Sequence, residues 1–244
     1  MAHIIKTHGF VLNTTPFKES SMFVSLLTKQ NGKIRLIAKG VRRPKSRLCG
    51  ALERFSLDEI IYYHRESREV YTLSDAVVIE PYDAIRAHPE KVNAALVLCE
   101  FFDKTLPPEE PHTHAFSLLH DFLTDLTTTE ETFIKRIAYA FLIRALPDAG
   151  VRPQIDSCVR CHTPIQYNNE KVDFSIGAGG VVCERDFDDT VLFMHHDTLN
   201  VLDSIYKDRA VLMSDQTVAD LARLLPDYLY YHLNGLSLNS LKYL

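Results

Sequence analysis

The chain has no apolar run approaching the roughly 18 residues that a membrane span requires. Its opening, MAHIIKTHGF, lacks the long apolar core of a secretion signal. Both absences point to the cytoplasm. Cysteine is scarce and odd in number, at Cys49, Cys99, Cys158, Cys161 and Cys183. An odd count in a mid-sized chain without a signal argues against a disulfide framework. Internal repeats and low-complexity tracts are absent. So are the P-loop, the G-x-S-x-G elbow and the H-E-x-x-H helix. The nearest approach to an enzyme motif is the zinc-deaminase pattern, H-x-E followed by P-C-x-x-C. His64-Arg-Glu66 lies at the end of a predicted strand, far from Cys158, and Ser157 stands where that pattern needs proline. Gly177-Ala-Gly-Gly180 lacks the strand–loop–helix context of a nucleotide fingerprint.

What remains is 244 residues, 46% hydrophobic and 24% charged, ordinary for a soluble chain with one large domain or two small ones. The charge is unevenly placed. Lys33 to Phe55 holds eight of the cations and one acid, a local +7 in a chain whose net charge is −5. An acidic protein that gathers cations in one stretch builds a surface for a polyanion. Within the stretch, Ile34, Leu36 and Ala38 alternate with Lys33, Arg35 and Lys39, as in a strand with one buried and one basic face. The segment between Gly40 and Gly50 contains Pro44 and four cations, and reads as an exposed loop. Lys33, Arg35, Lys39, Arg42, Arg43, Lys45 and Arg47 are the candidate phosphate contacts.

The period of two extends over residues 1–80. His3–Asn13, Ser21–Thr28, Lys33–Lys39, Ser56–Tyr63 and Glu69–Val78 are predicted strands. Asn31-Gly32 between two apolar runs signals a hairpin. Five short strands fit a small closed barrel, for which the OB-fold is the common five-stranded type. Such barrels bind single strands with a basic groove and aromatic platforms. Phe17, Phe23, Tyr62, Tyr63 and Tyr71 are available, although core packing is the ordinary use of each. From Pro89 the period turns helical. Helices are predicted from Pro89 to about Lys104, over 114–126, and after a Thr128/Glu131 capping box. Two more follow, one over 198–206 capped by Asp197 and one over 215–234 that Pro226 should kink or split. The fold class is α+β, in four segments: 1–80 barrel, 81–150 first helical part, 151–195 cysteine-rich insert, 196–244 second helical part.

In the insert, Cys158-x-x-Cys161 precedes Cys183-Glu-Arg-Asp186 with the spacing of a zinc ribbon, in which two knuckles supply four ligands. Asp186 stands where a fourth cysteine is expected. A carboxylate oxygen ligates zinc at a similar distance, and His162, His195 and His196 are alternatives. The candidate set is Cys158, Cys161, Cys183 and Asp186 around one structural Zn2+. A degenerate, metal-free ribbon is the competing reading.

Several of these stretches together resemble the RecO family of bacterial recombination mediators. They are Gly9-Phe-Val-Leu12, Glu19-Ser20, Leu27-Thr28, Gly32, Ala38-Lys-Gly-Val-Arg-Arg-Pro-Lys-Ser-Arg47, Gly50-Ala-Leu52 and Phe55. The cysteines, Tyr231-His-Leu233 and Ser240-Leu-Lys-Tyr-Leu244 extend the likeness over essentially the whole chain. The resemblance implies an N-terminal OB-fold, a helical domain with an inserted zinc ribbon, and a non-enzymatic role in recombinational DNA repair. It implies binding to single- and double-stranded DNA, annealing of complementary strands, and assistance in loading RecA onto strands coated by single-strand-binding protein (SSB). The implied partners are RecR, at the N-terminal domain, and the acidic SSB C-terminal tail, at the helical domain, where Arg136 and Arg144 are candidates. It places the protein in the bacterial cytoplasm, at the nucleoid. Two other readings of the basic loop are an adaptor gripping an acidic protein and an RNA-binding barrel.

Overall fold

Alternation along the chain builds the first half. In a computed structural model of the protein, strand β3, Gly32–Ala38, buries Ile34, Leu36 and Ala38 and exposes Arg35, as the pattern requires. The structure describes residues 3–48, 50–66, 68–165, 171–183, 190–209 and 211–244. Cys49 and the candidate ligand Asp186 lie outside the described residues. The other strands of this half are β1 (His3–Phe17), β2 (Ser21–Thr28), β4 (Leu57–His64) and β5 (Tyr71–Glu80). They close into a barrel in the order β1-β2-β3-β5-β4, with β1 pairing both β2 and β4. The closing seam between β3 and β5 is parallel and short, holding only Leu36↔Tyr71 and Ile37↔Thr72.

The barrel interior is filled by Val11, Val24, Leu26, Leu36, Ile60 and Tyr62, all at most 1% exposed. Each such side chain contributes about 1.5–3 kcal/mol by leaving water. After the short helix α1 (Asp83–Arg86), helix α2 (Pro89–Thr105) and helix α3 (Thr113–Thr128) pack beside the barrel, with Phe10 of β1 meeting Phe116 of α3 at 5.0 Å between ring centres. The chain divides into compact units at Glu131/Thr132, so α2 and α3 fold with the barrel.

The second unit, Thr132–Leu244, contains helix α4 (Ile134–Ala145), strands β6 (Lys171–Ser175), β7 (Gly180–Val181) and β8 (Val191–His195), and helices α5 (His196–Tyr206) and α6 (Asp215–His232). The three strands form one sheet in the order β7-β6-β8. Three local expectations change. Thr128 ends α3 and its hydroxyl donates to the Asp125 carbonyl, so no capping box forms ahead of α4. Asp197 lies in the first turn of α5, and Asp220 of α6 instead accepts from the His195 N–H at 2.9 Å and the Thr198 hydroxyl at 2.8 Å. Pro226 does not split the helix but sits inside it, where the buried Leu224, Leu225, Tyr228 and Leu229 on both sides hold α6 in place.

Candidate functional site

The basic loop between β3 and β4 has an apolar half and a charged half. Leu48, Ala51 and Leu52 join the barrel core. The buried Asp58 of β4 accepts the Leu52 N–H at 2.7 Å, and burial pushes its carboxyl pKa up. Two turns set the other half: Arg43 N–H to the Gly40 carbonyl at 3.1 Å and Ser46 N–H to the Arg43 carbonyl at 3.0 Å. The Arg42 N–H ties the loop to the Ser20 carbonyl at 3.1 Å, and the Arg47 guanidinium ties it to the Ser74 carbonyl of β5. Lys39, Arg42, Arg43, Lys45 and Arg47 are all exposed. Among the described residues, none of Lys39, Arg42, Arg43 and Lys45 pairs with a carboxylate. Four cations thus stand on an anchored loop with no internal counter-charge, the arrangement that attracts phosphate.

Lys33 and Arg35 point elsewhere. The half-buried Lys33 donates through Nζ to the Asp103 backbone carbonyl, and burial lowers its pKa while the Asp103 carboxylate opposes that shift. Arg35 lies 4.8 Å over the Phe23 ring, and Phe23 rests on Phe17 at 4.4 Å. Both cations border a cavity of about 470 Å³ outside β1–β3, which Asp103 of α2 and Glu109 also line. Residues 108 and 109 run beside β3, where the Glu109 N–H donates to the Lys33 carbonyl at 2.9 Å. Gly32 permits this approach, since a Cβ there would overlap the Glu110 backbone. Sequence reasoning missed Asp103 and Glu109. Nothing in a contiguous basic stretch points to acids that fold back onto it from far downstream, Asp103 lying 70 residues beyond Lys33. Of the candidate platforms, Tyr62 and Tyr71 are buried, Phe17 and Phe23 are half-buried, and Tyr63 is 41% exposed.

In the second unit, Cys158, Cys161 and Cys183 bring their sulfurs within 4.8 Å of one another. A knuckle forms this cluster. The Cys158 N–H donates to the Thr163 carbonyl and the His162 N–H to the Cys158 carbonyl, each at 2.9 Å. The Val159 N–H then reaches the Val181 carbonyl at 3.0 Å, which draws Cys183 toward the knuckle. Gly180 is required there, because a Cβ would overlap the Gln154 carbonyl oxygen. Thr163, through its hydroxyl and its backbone N–H, lowers the Cys161 thiol pKa to about 7. The Cys161–Cys183 separation of 3.8 Å suits two corners of a zinc tetrahedron. Among the described residues no histidine or carboxylate joins the sulfurs. His195 instead faces Asp220, Nδ1 to Oδ2 at 3.1 Å. Of the helical cations, Arg136 is engaged by the Met213 and Thr132 carbonyls and by Asp215, whereas Arg144 lies over Phe141.

Among the described residues no helix is long and apolar enough to cross a membrane. Comparison with known proteins agrees with the architecture. The family described as Recombination protein O N terminal matches residues 1–82, and Recombination protein O C terminal matches residues 86–242. A protein of Desulforamulus reducens named DNA repair protein RecO is 28% identical over 94% of this chain and 90% of its own length. A protein of the same name from Syntrophus aciditrophicus is 29% identical over 98% of this chain and 94% of its own. A third, from Alkaliphilus metalliredigens, is 30% identical over 75% and 72%. With matched segments spanning both the barrel and the cysteine-bearing half, the chain belongs to the RecO family.

Proposed function

We propose that this protein is a DNA-binding mediator of recombinational repair whose barrel works as an OB-fold. The observation that carries the reading is the row Lys39, Arg42, Arg43 and Lys45, exposed, without acidic partners among the described residues, and fixed on a barrel in a chain of net charge −5. Contacts to phosphate are indifferent to sequence and serve single- and double-stranded DNA alike. They also lower the repulsion between two strands and leave base edges free to pair, which is what annealing of complementary strands needs. Lys33 and Arg35, engaged beside the cavity, add positive potential rather than direct phosphate contacts.

Family membership supports the remaining parts of the proposal. With RecR, the protein helps load RecA onto SSB-coated strands in the bacterial cytoplasm. Its chemistry is binding, not catalysis. The SSB tail docks on helical surface, with Arg144 better placed than the already engaged Arg136. Cys158, Cys161 and Cys183, with Asp186 as fourth ligand, hold one structural zinc ion. Such an ion fixes the insert and leaves no open coordination position.

Fluorescence anisotropy with a labelled single strand across a salt series tests the central claim. Lys39, Arg42, Arg43 and Lys45, all changed to Ala, should reduce the log–log salt slope by about 3, at roughly 0.7 per lost contact. An unchanged slope and affinity would remove DNA from the loop and assign it to an acidic protein partner.

A further inference from the structure

The cavity beside β3 is unlike the loop next to it. Its lining includes Asp103, Glu109 and Glu69 against Lys33 and Arg35, so acids outnumber cations in the pocket. A phosphate is disfavoured there. The groups that remain are those of a base-recognition site. Arg35 lies 4.8 Å over Phe23, which meets Phe17 tilted at 4.4 Å, and the exposed guanidinium and these rings offer groups on which a base can stack. The Asp103 carboxylate is held in place. Ser25 donates to Oδ1, Asn13 donates to Oδ2 at 3.3 Å, and Asn13 is itself oriented by Arg54 at 2.8 Å. Each carboxylate oxygen offers two acceptor sites, so each keeps one for a ligand. Glu109 is likewise fixed, with one oxygen accepting from the Tyr71 hydroxyl. The volume, about 470 Å³, lies within the roughly 300–1,000 Å³ of small-molecule pockets.

We propose that this cavity takes a single unstacked guanine base from the strand held by the basic loop; the inference rests on the DNA-binding reading above. Guanine presents two parallel N–H donors, at N1 and the 2-amino group, which a single carboxylate accepts together. Its O6 is an acceptor for the cation beside that carboxylate. Thymine carries no exocyclic amine and offers one donor. The protein therefore grips the backbone without regard to sequence and registers on guanine where one is unpaired.

The test uses eight-residue thymidine oligonucleotides with a central thymine, guanine or hypoxanthine, the last lacking the 2-amino group, in competition anisotropy with the full chain. Guanine should bind at least about 5-fold tighter than thymine, the lower bound for a good bidentate base contact. Hypoxanthine should lose most of that gain. In Asp103→Asn the guanine-to-thymine ratio should fall to near one. Glu109→Gln, which keeps a partner for Tyr71, should lower the ratio as well and decides the matter should Asp103→Asn misfold. The variant lacking the four loop cations should bind all three oligonucleotides more weakly yet retain the ratio. Equal affinities with normal salt dependence would overturn the pocket and leave the loop reading standing. Hypoxanthine equal to guanine would overturn the carboxylate pairing. No binding to any of the three would bring down both readings.

Discussion

The basic loop of the first unit and the cysteine knuckle of the second solve similar problems under different demands. Each presents polar groups on an irregular segment, and each is pinned from behind. The loop is pinned by Leu48, Ala51 and Leu52 in the barrel core, the knuckle by the Val159 N–H bond to the Val181 carbonyl, beside the Val181–Gln154 bond that Gly180 makes room for. On the proposed reading, the loop's cations need only face outward at an anchored spacing, because phosphate attraction acts over several ångströms. The thiols must converge within a few ångströms, because a metal bond is short and directional. A surface of the first kind degrades gradually as residues are lost, whereas a site of the second kind fails at once.

The sharpest way to separate the two is to remove metal. Chelation of the zinc-loaded protein should release one ion per chain, read by a colorimetric dye, and should abolish the thermal transition of the second unit. Structural zinc commonly carries on the order of 10 kcal/mol of folding energy. Cys158→Ser should purify without the ion, while DNA binding through the loop persists.

A smaller effect comes from the loop's anchor. Leu48 is 6% exposed within the barrel core, and Leu48→Ala should cost about 2–5 kcal/mol, measured as an earlier urea transition of the first unit by tyrosine fluorescence. The anisotropy salt slope should fall with it, because cations on an unanchored loop lose their fixed spacing. A normal slope would mean that the anchor matters for stability alone.

The smallest effect sharpens the second unit by pH. Burial works against ionisation of Asp220, but hydrogen bonds from the His195 N–H and side chain, Thr198 and Gln216 outweigh it and hold its pKa below the ordinary carboxyl value of 3.8. That stabilisation is present in full above pH 3.8 and is lost as pH falls through the lowered folded-state value. Asp220→Asn should melt lower at neutral pH, by about 1 kcal/mol of stability. The gap should close as pH drops below 4, in melting curves taken between pH 6 and 2.

Much of this was legible in residue order. The two-residue period marked β3, and the density of cations marked the loop, because both signals are local. The three cysteines were legible from spacing, and Asp186, expected as their fourth partner, lies outside the described residues. Local grammar misled where packing decided the outcome. Pro226 forfeits one hydrogen bond, yet the buried leucines on either side keep α6 continuous. Thr128 and Glu131 had the spacing of a cap, yet α3 runs through Thr128. Least legible was the cavity. Ser25 and Asp103 meet across 78 residues, and no periodicity encodes such a meeting.

That separation bears on the order in which the protein becomes competent during synthesis. The strand pairings that close the barrel are complete by Glu80, so the cation-bearing loop has its whole scaffold while the rest of the chain is still being made. The cavity waits for Asp103 and for the chain that docks along Gly32. On the two proposals above, a nascent protein would hold a general grip on polyanions before it had any means of telling one base from another.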